Sequence, residues 1–185
     1  QASKDLADER GACPDAAEYG FKERFSNKTA IAPTASISII CGGASPGVEP
    51  IAANSYTHKT LSGSYNVKNR YLREVLQKYD KDSDEIWGTI TTNQGSVSHL
   101  DFLTNHEKDV FKTAFELDQK WIVELGAERT PYVSQAQSIN IFLPADVHKK
   151  ELHQIHFQAW KKGLKSLYYC RSKSIQRAEN VNNEL

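Results

Sequence analysis

Two stretches carry residue types whose spacing could do chemistry. In Pro33-Thr34-Ala35-Ser36-Ile37-Ser38, small hydroxyl residues follow a proline and open an apolar run. Backbone N–H groups at a helix start lack partners and sit at the positive end of the peptide dipoles, so an anion is welcome there. Thr34 and Ser36 would add hydroxyl donors, and Ala35 leaves the approach open. An ordinary hydroxyl cap has the same pattern, and no lysine accompanies it as in a glycine-rich phosphate loop. In Tyr168-Tyr169, two adjacent phenols could relay an electron and a proton if their rings stack. Regular strand geometry sends neighbours to opposite faces, so stacking demands a local departure. Aromatic residues are also good strand formers for structural reasons alone.

Weaker candidates follow. His148, His153 and His156 fall on one helical stretch, with Asp146 and Glu151 near, but the spacing matches no zinc motif and reads as a solvated helix face. Cys13, Cys41 and Cys170 are far apart, which suits free thiols in a reducing, cytoplasmic setting rather than a disulfide scaffold or zinc site. Lys149-Lys150 and Lys161-Lys162 read as solvated faces.

The elements that must position these residues can be read from periodicity and punctuation. Residues 3–10 read as the tail of a helix, stopped by Gly11 and Pro14. Residues 28–32 form a candidate strand closed by Pro33, and a short helix runs from Thr34 to Gly42-Gly43. Residues 44–66, with Pro46, Gly47, Pro50 and Gly63, read as an irregular connection. The spacing of Val67, Tyr71, Leu72, Val75, Leu76 and Tyr79 predicts a helix, and a shorter one spans 84–92. A long helix is predicted over 105–126, with Val110, Ala114, Leu117, Trp121 and Leu125 as its stripe and burial on most sides. Residues 138–143 alternate as a strand, 145–162 read as a helix capped by Gly163, and 166–170 as a last strand. From Arg171 the chain is polar and reads as a tail. Strand, helix and strand with short links make a βαβ unit, hence a parallel sheet with helices outside.

The 185 residues contain 23 basic and 23 acidic side chains, for a formal charge of zero. That balance argues against a general nucleic-acid or membrane-surface binder. The longest apolar stretch, Ile37 to Cys41, is interrupted by Ser38 and is far short of the about 20 residues a membrane helix needs. The sequence starts with Gln1 and contains no Met, so it reads as a processed, split or trimmed piece of a longer protein.

Several motifs together resemble one family. Ala32-Pro33-Thr34-Ala35-Ser36-Ile37-Ser38, Gly47-Val48-Glu49-Pro50, Ser55-Tyr56-Thr57 with Thr60-Leu61-Ser62-Gly63, Gln135-Ala136-Gln137-Ser138-Ile139-Asn140-Ile141, and Trp160 through Tyr169 resemble the C-terminal part of the large (α, catalytic) subunit of class I ribonucleotide reductase. Glu9 through Pro14 looks like the segment that precedes this region. The resemblance implies an α/β fold, part of a ten-stranded α/β barrel made of two half-barrels, with the C-terminal portion of the second half here and helices outside. Residues 1–27 would lead into the barrel, 28–170 would be barrel, and 171–185 a polar tail.

The resemblance also implies roles. Thr34, Ala35, Ser36 and Ile37 match the loop that binds the substrate diphosphate. Tyr168 and Tyr169 match the pair that passes a radical between the small subunit and a thiyl-forming cysteine. That cysteine, its Asn and Glu partners and the reducing cysteine pairs match nothing in these residues. The chain would therefore need the N-terminal part of the large subunit and the small radical-generating subunit, with a ribonucleoside diphosphate as substrate. Thioredoxin or glutaredoxin would act through parts outside this sequence, and the metal-dependent radical cofactor would belong to the small subunit, with no cofactor or metal bound here. The alternative is a non-catalytic nucleotide-binding or scaffolding piece, against which the intact tyrosine pair and loop argue.

Overall fold

The computed structural model describes residues 1–60 and 63–173 of the chain. Leu61 and Ser62 of the motif above, and the tail beyond Lys173, lie outside the described residues. Helix α1 (Ala2–Arg10) ends at Gly11, whose φ of 81° suits glycine. Pro14 opens α2 (Pro14–Glu18) instead of closing the preceding helix. A proline at the first helical position gives up only an N–H that has no helical partner anyway. The strand predicted over 28–32 is reduced to one parallel bridge, Ile31 to Gln137. The amides of Lys28 and Thr29 donate to Ser134 Oγ, both at 2.8 Å, while Thr29 O accepts from the Gln135 amide at 2.9 Å, so side-chain bonds interrupt the ladder at this end.

Helix α3 (Ala35–Ile40) follows Thr34 as the sequence predicts and ends before Gly42 and Gly43, both with positive φ. The connection over 44–66 is irregular only in its first part. Strands β1 (Ser55–Thr60) and β2 (Gly63–Lys68) form an antiparallel hairpin that pairs Ser55 with Lys68 and Thr60 with Gly63. The prolines and Gly47 that break 44–50 masked a tract of Tyr, Thr and Val suited to a pleated surface. Val67 thus belongs to β2. Helix α4 (Arg70–Lys78) starts after Asn69, whose side chain accepts from the amides of Tyr71 and Leu72. Helix α5 (Asp84–Thr92) is capped by Ser83. Leu72, Leu76, Trp87, Ile90, Val97, Leu100, Leu103 and Phe111 pack into one core.

The long helix predicted over 105–126 is broken. Helix α6 (Asn105–Val110), a 3-10 turn (Ala114–Glu116) and α7 (Gln119–Arg129) follow one another. Each has its own start signal: capping boxes Thr104/Glu107 and Thr113/Glu116, then Asp118 accepting from the Lys120 amide. The apolar spacing ran unbroken through all three. Val110, Trp121 and Leu125 are exposed within this chain, so the expected burial on most sides does not hold.

Strand β3 (Ile141–Leu143), helix α8 (Lys149–Lys161) and strand β4 (Cys170–Ser172) make the predicted parallel βαβ unit, with Ile141 opposite Cys170. The strand placed at 166–170 is shifted: β4 begins at Cys170 and includes Arg171 and Ser172. Helix α8 starts at Lys149, not Ala145, because His148 Nδ1 accepts from the Lys150 amide and caps it. The alternation expected along 138–143 gives way to burial of Ile141, Phe142 and Leu143 alike. Ile141 and Leu143 join Ile122, Val123, Ile139, Ile155 and Ala159 from strand, α7 and α8 in a second core. Phe142 meets Phe115 edge-on at 5.1 Å. Strand β3 is thus covered on both faces, while all three residues of β4 are exposed. Among the described residues no sheet closes into a barrel.

Candidate functional site

Tyr168 and Tyr169 sit where the chain enters β4. The Tyr168 amide donates to Ile139 O at 2.8 Å, and Tyr169 O accepts from the Ile141 amide at 2.9 Å, so both are pinned to β3 and its approach. Because they precede the regular strand, their side chains escape the alternation that would part them. The ring centroids lie 4.2 Å apart with planes at 54°. A hydrogen bond with the Tyr169 phenol holds the Tyr168 hydroxyl above the usual tyrosine range. A phenol so held stays protonated near neutral pH, and taking an electron from it means moving its proton too. Both rings are roughly half exposed, and the Arg171 guanidinium stands 5.6 Å from the Tyr169 ring. Upstream, Lys165 Nζ donates to the carbonyls of Val133, Ser134 and Gln135 at 2.9, 2.6 and 3.0 Å, tying the approach to the neighbouring loop.

An open cavity of about 620 Å³ lies beside this pair. Its walls include Ile31, Pro33, Gln137, Lys165 and Tyr168. It therefore runs from the residue before Thr34 to the first tyrosine, although Thr34, Ala35, Ser36 and Ile37 themselves do not line it.

Ala35, Ser36 and Ile37 are exposed in the first turn of α3, and Thr34 is half-buried. The Thr34 hydroxyl does not cap the helix. The Thr34 amide and Oγ1 both donate to Pro46 O, at 2.9 and 3.0 Å. Thr34 thus closes the excursion over 34–46, while Ser36 is left facing outward. Glu49, just beyond, is buried at 4% exposure and accepts through Oε1 from the Asn140 amide.

The histidines are used locally. His148 caps α8, His156 Nδ1 lies 2.8 Å from Leu152 O, and the His153 ring stacks on Phe157. Among the described residues no three His, Cys, Asp or Glu side chains converge as a metal site would need. Cys13 is half-buried, and Cys41 and Cys170 are exposed, all as free thiols. Reasoning from residue types alone did not single out Glu49, Asn140 or Lys165. The signal for Glu49 was the glycine two places before it: a Cβ on Gly47 would come within 2.1 Å of Glu49 Oε2.

Comparison with known proteins meets this geometry from outside. The family described as "Ribonucleotide reductase, barrel domain" matches residues 4–170. The ribonucleoside-diphosphate reductase large subunit of Invertebrate iridescent virus 6 is 51% identical over 172 residues, covering 91% of this chain and 18% of that protein. The large subunit of Invertebrate iridescent virus 3 is 42% identical, covering 96% of this chain and 28% of that protein. Among solved structures, the Actinobacillus ureae class Id ribonucleotide reductase alpha subunit superposes with a TM-score of 0.78 at 38% identity, covering 96% of this chain and 32% of that one. Fold and site together define a portion of an α/β barrel with its helices outside. The chain belongs to the ribonucleotide reductase barrel-domain family, and it spans less than a third of the length of these relatives.

Proposed function

We propose that this chain supplies the substrate-phosphate loop and the radical-relay tyrosines to a ribonucleoside-diphosphate reductase, whose remaining large-subunit barrel and small subunit are other parts of the complex. The observation that carries the reading is the phenol pair, with ring centroids 4.2 Å apart and planes at 54°. Each relay step takes a hydrogen atom, one electron and one proton, from one phenol and returns it to the other, so a phenoxyl radical moves by one residue with no net change in the pair. Loss of the electron alone would leave a strongly acidic phenol cation, so electron and proton move together. The radical would originate at a metal-dependent cofactor held by the small subunit.

Substrate enters the reading at α3. The exposed Ser36 hydroxyl and the first-turn amides of Ala35–Ile37 suit a diphosphate, and the Thr34 hydroxyl, turned to Pro46, fixes the loop's shape. A site made of amides and hydroxyls needs no cationic excess, consistent with the chain's zero formal charge. Reconstitution tests the proposal. This chain, combined with the rest of the large subunit and the small subunit, is expected to support reduction of a ribonucleoside diphosphate to its 2′-deoxy form. Equal activity with this chain left out would contradict it.

A further inference from the structure

The buried carboxylate of Glu49 connects the two halves of the candidate site. Its Oε1 accepts from the Asn140 amide. Asn140 lies between Ile139, whose carbonyl receives the Tyr168 amide, and Ile141, whose amide donates to Tyr169 O. On the other side, Ser45 Oγ donates to Glu49 O, and Pro46 O receives both donors of Thr34. Gly47 leaves the space into which the carboxylate folds, since any Cβ there would overlap Oε2. A carboxylate at 4% exposure costs much to bury unless hydrogen bonds compensate it. Asn140 Oδ1 is buried beside it without a hydrogen-bond partner, so the Glu49 contact to the backbone is the polar bond joining the two segments at this residue.

We propose that Glu49 is a positioning residue that anchors the segment 45–49 to the approach of β3 and thereby sets where the Thr34–Ile37 loop stands relative to the tyrosine pair. This rests on the reading of Thr34–Ile37 as the phosphate loop. Without the anchor the loop would still exist, but substrate phosphate would no longer be held at one distance from the reacting end.

The test uses the complete reductase and compares three variants. Glu49→Ala is expected to raise the KM for a ribonucleoside diphosphate roughly tenfold, with kcat within about twofold, as loss of one buried hydrogen bond would give. Glu49→Gln keeps an acceptor oxygen for the Asn140 amide and is expected to restore most of the KM. Ser36→Asp places a carboxylate against the diphosphate and is expected to raise KM independently. If Ser36→Asp raises KM but Glu49→Ala leaves it unchanged, the phosphate reading stands and the anchor role is overturned. If neither raises KM, the phosphate reading fails and the anchor role with it. A fall in kcat matched by loss of folded protein, with no change in KM, would mark Glu49 as merely structural and also overturn the proposal.

Discussion

His99 lies half-buried beside α5, its Nε2 2.9 Å from Thr89 Oγ1 and its Nδ1 buried without a partner. Desolvation first, and then the Lys108 charge, hold its pKa below the usual histidine value, with Asp101 opposing weakly. A proton therefore binds the unfolded chain more readily than the folded one. The stabilisation from neutral His99 is complete above the unfolded value near 6.5 and is lost as pH falls through the lower folded value. Thermal unfolding should show a Tm falling from pH 7.5 to pH 5, and His99→Gln should flatten that fall. An unchanged slope in His99→Gln would place the titration elsewhere. The same scale holds the clearest difference between sequence and structure at the site. Thr34 reads as a helix cap or phosphate donor from its neighbours, yet its hydroxyl goes to Pro46, a contact twelve residues on that no local pattern announces. The tyrosines read as a strand pair pointing apart. They meet because the strand begins one residue later, at Cys170.

Among elements, the hairpin and the helical core are joined through Asn54. Its side chain, 1% exposed, donates to Gly95 O at 2.9 Å and Phe111 O at 2.7 Å and accepts from Asn69 Nδ2 at 2.8 Å. Gly95 closes against it, where φ is 84° and a Cβ would stand 2.3 Å from Ala53 Cβ. Asn54→Ala strands these buried groups and should lower the unfolding free energy by about 3 kcal/mol, seen as a lower denaturant midpoint at unchanged slope. A loss under about 0.5 kcal/mol would mean that water satisfies them. Elements with explicit punctuation were legible in the sequence: α1 with Gly11, α3 between Pro33 and Gly42, α5 after Ser83, and the βαβ unit. The run over 105–126 was not, because periodicity reports which residues are apolar and not how many caps interrupt them. The hairpin was hidden by the prolines that precede it.

The whole molecule exposes apolar side chains on several sides. Ile37, Ile39 and Ile40 stand out from α3, Trp121 and Leu125 from α7, and Phe157 and Trp160 from α8. Exposed apolar side chains on three helices suit contact with further protein, and the short parallel pair β3–β4 leaves strand edges open. Both features agree with a chain that spans about a third of its structural relative. No helix among the described residues is long and apolar enough to cross a membrane. The barrel was legible only through the motifs as a set, because among the described residues the two short sheets do not close. The proposed relay would likewise work only in the assembled enzyme, and its most direct test is made there. Tyr168→Phe and Tyr169→Phe each keep the ring and remove the oxidisable hydroxyl. In the reconstituted reductase, either substitution is predicted to bring deoxyribonucleotide formation to background while substrate binding is retained. Formation at the unsubstituted rate in either variant would contradict the relay.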